Sequence, residues 1–272
     1  MSIEVSHLTF AYGKHTVLRD VTFAVASGTL LCVLGPNGVG KSTLFRCILG
    51  LSRGQSGQVM IAGRDVCTLS IRERARQMAY IPQNNAPAFS YSAYDMVLMG
   101  TAAQVHLVAA PGSAQRKRAD DVMAHLKISH LKDRSFMKIS GGEQQLVCIA
   151  RAIVQGAKVL VMDEPTANLD YGNQIMVQGR LRQLAAEGYT IIQSTHNPDQ
   201  AFLFADVVLA LRQGRIEAYG PPDAVMDAAL LKRLYQIDVQ IERLYGDRVQ
   251  VCIPAQVLME KKAIRESGKK ER

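Results

Sequence analysis

Two short stretches of this sequence place glycines and a hydroxyl side chain at the start of an apolar helical pattern, an arrangement that turns backbone N–H groups toward an anion. The first is GPNGVGKST, from Gly35 to Thr43, and the second is ISGGE, residues 139 to 143. The first, Gly35, Pro36, Asn37, Gly38, Val39, Gly40, Lys41, Ser42 and Thr43, matches G-x-x-x-x-G-K-[ST]. Gly35, Gly38 and Gly40 let the backbone curl so that successive N–H groups face a β-phosphate. Lys41 reaches the β- and γ-phosphates, and Ser42 offers a hydroxyl to Mg²⁺. A purely structural glycine turn is the alternative. Against it, the apolar run LLCVLG leads into the loop and the helical pattern KSTLFRCILGL leaves it.

A magnesium-assisted phosphoryl transfer also needs an acidic residue where a buried strand ends. VLVMDEP, residues 159 to 165, supplies Asp163 to hold the metal and Glu164 to polarise a water for in-line attack. A pair of helix-start carboxylates stabilised by the helix dipole is the competing reading. It is disfavoured because adjacent charges closing an apolar strand are costly without a metal.

These groups need a scaffold, and the apolar runs describe one. TLLCVLG (29–35), KVLVMDEP (158–165), TIIQSTH (190–196) and DVVLALRQG (206–214) are apolar on both faces, as buried parallel strands are. Helical periodicity links Leu44, Ile48 and Leu51; Leu146, Ile149, Ala150 and Ile153; and Val177, Leu181 and Leu184, ending at Gly188. The N-terminal 27 residues have strand-like stretches around a turn at Tyr12-Gly13-Lys14 and no helix, so an antiparallel layer is expected beside the main sheet. Residues 84–157 hold no clear core strand and read as a helical insertion, while GPPD (220–223) precedes a short helix and a hairpin over 238–254. The fold class is therefore α/β, a P-loop core with a mostly parallel sheet.

Composition limits the remaining readings. The 272 residues suffice for a large buried core, and 48% are hydrophobic. The run AFLFADVVLAL (201–211) is too short to span a bilayer and is broken by Asp206, and MSIEVSHLTF lacks the form of a secretory signal, so a cytoplasmic protein is expected. The five cysteines (Cys32, Cys47, Cys67, Cys148, Cys252) never form C-x-x-C and read as reduced core thiols. Part of the net charge of +8 lies in MEKKAIRESGKKER (259–272), with six Lys/Arg against three Glu, a solvated tail or else a contact for an anionic surface. His7, His15, His106, His125 and His130 are scattered and are expected to be exposed.

A P-loop serves GTPases, kinases and ATPases, and no N-K-x-D element for guanine is present. With ISGGE following the P-loop and preceding the acidic strand, the sequence resembles the ATP-binding-cassette (ABC) family, whose signature is usually written LSGGQ. The resemblance covers residues 1–220, with a helical subdomain at about 84–157 and a C-terminal helix, hairpin and basic tail over 221–272. It implies a sandwich of two copies, in which Ser140, Gly141 and Gly142 of one chain close over the ATP held by the other. Glu143 stands where the family usually has Gln and is expected to face its own chain or solvent.

The same resemblance implies roles for single residues. Tyr12 matches the aromatic residue that stacks on adenine, a turn tyrosine being the other reading. Gln83 in AYIPQNN matches the glutamine that contacts Mg²⁺ and water, or else is an ordinary loop residue. His196 matches the histidine that contacts the γ-phosphate. ANLD (167–170) matches the interface segment, with Asp170 coupling the two ATP sites or serving only as a cap for a helix from Asn173. ATP and Mg²⁺ are thus the implied cofactors, with Ser42, Gln83 and Asp163 toward the metal and Glu164 and His196 catalytic.

Within the family, VLMG (97–100), ISGGEQQLVCIARA (139–152) and LDYGNQ (169–174) resemble importer ATPases for metal chelates such as siderophores, haem and cobalamin. FSYSAYDMVLMG (89–100) leans toward the molybdate and tungstate members. The implied partners are a second copy, permease subunits of the cell membrane and a substrate-binding protein, with the chain on the cytoplasmic face and no nucleic acid. A soluble ATPase acting in nucleic-acid or iron–sulfur assembly is the alternative; its clamp members usually carry long coiled coils or two cassettes, and this chain has neither.

Overall fold

A computed structural model describes residues 2–52, 54–83, 89–103, 111–247 and 249–257. The chain opens with a hairpin, β1 (Ile3–Tyr12) and β2 (His15–Val25), and continues through β3 (Leu30–Leu34), α1 (Lys41–Ile48), β4 (Ser56–Ile61), β5 (Arg64–Asp65), α2 (Ile71–Gln77) and β6 (Met78–Ile81). Helices α3 (Ala93–Leu98), α4 (Ser113–His125) and α5 (Gly141–Val154) follow. Then come β7 (Val159–Met162), α6 (Tyr171–Ala186), β8 (Thr190–Thr195), α7 (Pro198–Phe204), β9 (Val207–Arg212) and β10 (Arg215–Gly220). Two short helices, α8 (Pro222–Val225) and α9 (Ala228–Tyr235), precede the hairpin β11 (Val239–Leu244) and β12 (Val249–Pro254).

Six strands form the main sheet in the order β10-β9-β3-β8-β7-β6, parallel except for β10 against β9. Every residue of β3, β7 and β8 is buried, as their two-faced apolar sequences require. Because side chains alternate across a strand, each run feeds two cores. Leu30, Cys32, Leu34, Leu160 and Met162 face the helices α5 and α6. Leu31, Val33, Val159 and Val161 face α1 and the antiparallel layer.

That layer is a four-stranded sheet, β2-β1-β4-β5, whose alternating Ile3, Val5, Leu8 and Phe10 are buried. Strands β4, β6 and β10 were not read from the sequence, and each is short or carries polar residues. β10, with the pattern exposed–half-buried along RIEAYG, is an edge strand whose periodicity is diluted by charge. Between β6 and β7 the described residues form helices and one isolated bridge, Ser92 to Ser135.

Several expectations shift in detail. Leu51 is not on the helix with Leu44 and Ile48: α1 ends at Ile48, Gly50 turns left-handed at φ 64°, and Leu51 is 56% exposed. The helix expected from Asn173 starts at Tyr171 and ends at Ala186, just before Gly188 at φ 91°. Part of GPPD itself forms the first turn of α8, because proline fits a helix start. Cys32, Cys47 and Cys148 are buried, but Cys67 is exposed and Cys252 half-buried; all five are free. Burial pushes the Cys32 thiol up to about 12 and that of Cys148 up to about 11. His7, His15, His125 and His130 are exposed, and His106 and the tail from 259 lie outside the described residues.

Phe45, on α1 beneath the phosphate loop, is fully buried between the two sheets. Phe45→Ala is expected to cost about 3–5 kcal/mol in a urea unfolding titration. Leu51→Ala, at its solvent-facing position, should change stability by no more than about 0.5 kcal/mol.

Candidate functional site

Parallel strands end on one edge of the sheet, and the predicted chemistry collects there. Leu34 pairs with Thr195, Met162 with Gln193, and Ile81 with Met162. Gly35, His196, Asp163 and Gln83 each follow one of these paired ends by one or two residues. A cavity of about 450 Å³ opens between them, lined by Val17, Asn37, Gly38, Gly40, Lys41, Ser42, Thr43, Gln83, Asp163 and Glu164.

The loop from β3 to α1 needs its glycines. Gly40 has φ 111°, and a Cβ there would press on Leu18 and Val17. At Gly35 a Cβ would lie 2.5 Å from the Leu211 carbonyl oxygen. Pro36 contributes its carbonyl, and Val39 packs into the core beside Gly35 rather than lining the cavity.

Lys41 is the most buried charged residue among those described, 6% exposed. Its ammonium donates to the Gly35 carbonyl at 2.7 Å and to that of Pro36 at 3.1 Å, and lies 3.7 Å from Glu164 Oε1. Burial lowers its pKa, and the nearby carboxylates of Glu164 and Asp163 oppose that shift. Glu164 also faces His196, whose Nδ1 is 3.3 Å from Oε1. One carboxylate thus stands between a lysine and a histidine at the cavity wall.

Ser194 was not singled out from the sequence, although it lies two residues before His196. It is 1% exposed. Its hydroxyl donates to Asp163 Oδ1 at 2.6 Å and accepts the Glu164 N–H at 2.9 Å. Gln200 on α7 was also missed. Its Oε1 accepts from Thr166 at 3.2 Å and Thr195 at 3.1 Å, and its amide donates to Gln174 at 3.3 Å, tying the segments on either side of the site together. No periodicity or motif marks such a residue, because its significance lies in contacts across 34 positions of sequence.

The second glycine stretch begins α5, with Ser140 as its N-cap. Glu143 Oε2 accepts from the Ser140 N–H at 2.8 Å and from its hydroxyl at 2.9 Å, while the Glu143 N–H donates back to Ser140 Oγ at 3.3 Å. This capping box decides where Glu143 points: into its own chain. The Ser140 N–H and then its hydroxyl, with His130 beyond, hold the Glu143 carboxyl below its ordinary range. Gly141 and Gly142 pack so closely on Leu169 and Asn173 that added Cβ atoms would come within 2.8 and 2.3 Å of them. Ser140, Gly141 and Gly142 do not line the phosphate cavity; Gly141 lines an adjoining cleft of about 250 Å³ with Met137, Gln144 and Leu169, which shares Gln83 and Glu164 with that cavity.

The remaining expected residues fall into place unevenly. Gln83 is exposed and lines both the phosphate cavity and the adjoining one of about 360 Å³ that contains His196. Tyr12, 50% exposed, closes β1 in edge-to-face contact with Phe10 at 4.9 Å and lies outside the cavity lining, whereas Val17 lines it. Asp170 is the N-cap of α6, accepting from the Asn173 N–H and side-chain amide, each at 2.8 Å. Among the described residues no cluster of three His, Cys, Asp or Glu side chains could hold a metal. Ser42, Gln83 and Asp163 instead form an oxygen-donor set on one cavity, the hard ligands that Mg²⁺ takes alongside phosphate. The buried ammonium and the turned loop suit a triphosphate.

The chain is similar to known proteins in sequence and in fold. The family model described as ABC transporter matches residues 18–167. The hemin import ATP-binding protein HmuV of Thermobifida fusca is 38% identical over 241 residues, 86% of this chain and 82% of the relative. A Helicobacter pylori protein assigned as an iron chelatin transport ATP-binding protein is 31% identical over 249 residues, 91% of this chain and 97% of the relative. Among solved structures, a chain assigned to the metal-chelate type of ABC transporter, in an inward-facing conformation, superposes with a TM-score of 0.83. It is 30% identical and covers 93% of this chain and 96% of its own.

Lys41→Ala removes the ammonium facing the phosphate loop and is expected to weaken binding of a fluorescent ATP analogue at least 100-fold, about 3 kcal/mol, in a direct titration. The capping box has its own pH signature. A carboxyl whose folded pKa lies below its ordinary 4.5 stabilises the fold above that value and loses the effect as pH falls through the folded pKa. The melting-temperature advantage of the wild type over Glu143→Ala should therefore be full at neutral pH and shrink on acidification below 4.5, read by circular dichroism.

Proposed function

Because this chain belongs to the ABC transporter family and is one of its ATP-binding, ATP-hydrolysing subunits, we propose that two copies of it power an importer for a metal chelate from beneath a membrane permease. The observation that carries the reading is the convergence of Lys41, Asp163, Glu164 and His196 at the carboxyl ends of three adjacent parallel strands.

In this reading the Gly35–Thr43 loop wraps the β- and γ-phosphates of ATP, and Lys41 turns its ammonium from the loop carbonyls toward them. Glu164 accepts a proton from the attacking water as its oxygen bonds to the γ-phosphorus. The bond from that phosphorus to the bridging oxygen breaks, its electron pair leaving with ADP. His196, on the far side of Glu164 from Lys41, orients the carboxylate and reaches toward the γ-phosphate. Ser42, Gln83 and Asp163 would hold Mg²⁺, which would supply charge neutralisation to the phosphates. Tyr12 offers a flat half-exposed ring to adenine.

Ser140 to Gly142 serve the ATP of the second copy. Support for this comes from their position off their own chain's phosphate cavity, at an exposed helix N-terminus. Asp170 then lies in the segment between the two sites, its carboxylate holding the start of α6 against the signature helix.

An apolar groove of about 370 Å³, lined by Leu49, Leu51, Ile71, Ala75, Met78 and Tyr80 with Arg74 and Gln155, leaves Ile71 78% exposed. It offers a seat for a permease segment where the core meets the helical insertion. Tyr80 reaches from that groove toward Asp163: burial, then the Asp163 carboxylate, raises its pKa. A cytoplasmic, peripheral location goes with the proposed permease contact; among the described residues no helix is long and apolar enough to cross a membrane. A substrate-binding protein completes the proposed complex. The names of the relatives favour a chelate such as hemin over an oxyanion, and no feature favours nucleic-acid or iron–sulfur work.

Glu164→Gln keeps the shape of the carboxylate without its charge and is expected to bind Mg-ATP normally while releasing phosphate at least 100-fold more slowly. In that background, with the five native cysteines replaced, Val39→Cys and Ser140→Cys should form a disulfide-linked dimer on a non-reducing gel only with ATP present, since the bond needs Cα atoms within about 7 Å. A cross-link within one chain would sink the two-copy arrangement.

A further inference from the structure

Glu164 has φ 46°, in the left-handed region that side chains other than glycine, asparagine and aspartate rarely occupy. Such a conformation costs about 1–2 kcal/mol and persists only where neighbours hold it. The hold on its amide is one atom, Ser194 Oγ, at 2.9 Å. The same oxygen gives its only hydrogen to Asp163 Oδ1 at 2.6 Å. Ser194 is the last residue but one of β8, next to β7, 1% exposed and at the wall of the adjoining cavity of about 360 Å³.

We propose that Ser194 is a positioning residue for ATP hydrolysis, a single hydroxyl that holds Asp163 and Glu164 in register with each other. This rests on the reading above, in which Asp163 faces the metal and Glu164 the water. The donated hydrogen fixes one carboxylate oxygen of Asp163, a carboxylate that lines the cavity and also meets Tyr80. The accepted N–H keeps the Glu164 backbone turned, so that its carboxylate stands between Lys41 at 3.7 Å and His196 at 3.3 Å. Without the hydroxyl, the part-buried Glu164 amide loses its protein partner beside a strained backbone, and relaxation to φ < 0 swings the carboxylate away. A displacement of about 1 Å at such a group costs on the order of 100-fold in rate. Nucleotide binding, which rests on the Gly35–Thr43 loop, does not pass through Ser194.

The test compares Ser194→Ala, Ser194→Thr and Glu164→Gln in the full chain, measuring phosphate release against ATP and Mg²⁺ concentration together with binding of a fluorescent ATP analogue. Ser194→Ala should lower kcat about 10- to 100-fold and raise the Mg²⁺ concentration for half-maximal rate, with the KM for ATP and analogue binding within about threefold. Ser194→Thr, which keeps the hydroxyl, should recover most of the rate. In the Glu164→Gln background, Ser194→Ala should cause little further loss, because the group it positions is already disabled. Wild-type kcat in Ser194→Ala, equal loss in the Thr variant, full additivity with Glu164→Gln, or loss of analogue binding alongside turnover would each overturn the proposal. Undiminished phosphate release in Glu164→Gln itself would instead overturn the assignment of Glu164 on which the proposal rests.

Discussion

A primary ammonium that is almost wholly enclosed by protein must be met by oxygen on every side, and much of this site follows from meeting Lys41. Two oxygens come from its own loop, the carbonyls of Gly35 and Pro36, which constrains how the loop can curl. The third comes from Glu164, on a strand end more than a hundred residues later in the chain. The carboxylate can reach only because β3 and β7 flank β8 in one sheet, so that their carboxyl ends open on a common space. Burial disfavours the charged form and lowers the lysine's pKa, a penalty that the Glu164 and Asp163 carboxylates oppose and that an incoming anion would oppose further.

The same arrangement explains why the sheet edge is polar where its body is apolar. β8 runs Thr190, Ile191, Ile192, Gln193, Ser194, Thr195, all buried, and its polar side chains are each paired. Gln193 exchanges hydrogen bonds with Gln178 on α6, Ser194 with Asp163 and Glu164, Thr195 with Gln200. Buried polar groups that are fully satisfied stiffen a site rather than weaken it. They carry the position of β7's end into α6 and α7, and α7 in turn is held by the C-terminal hairpin through Asp199, which accepts the Cys252 N–H at 2.8 Å.

Much of this was legible in the sequence. The loop from Gly35 to Thr43 announced itself because its residue types leave few other uses, and the acidic pair because charge at the end of VLVM is hard to explain otherwise. The strands LLCVL, VLVM and TIIQST were readable from composition alone, since burial on both faces removes polar residues. The polar edge strand β10 and the short β4 and β6 were not, because their stability comes from neighbours rather than from their own patterns. Leu51 misled for a related reason: helical spacing continued past Ile48, but the backbone turned at Gly50 and carried the side chain to solvent.

Gln83 and His196 came only with the family resemblance, but sequence alone determined the rest of the chemistry on offer: a phosphate loop, an acidic pair and a second glycine-led helix start. Each is a local pattern in which residue type and spacing carry the physics. Only the tertiary structure decided how these were held. It turned Glu143 back onto Ser140, made Asp170 a helix cap, set Glu164 in a strained conformation between Lys41 and His196, and gave Ser194 and Gln200 their places. Those outcomes depend on which strand ends lie side by side and on which hydrogen-bond partner is nearest. Neither is encoded within any one segment, because both arise when buried polar groups far apart in sequence must satisfy one another.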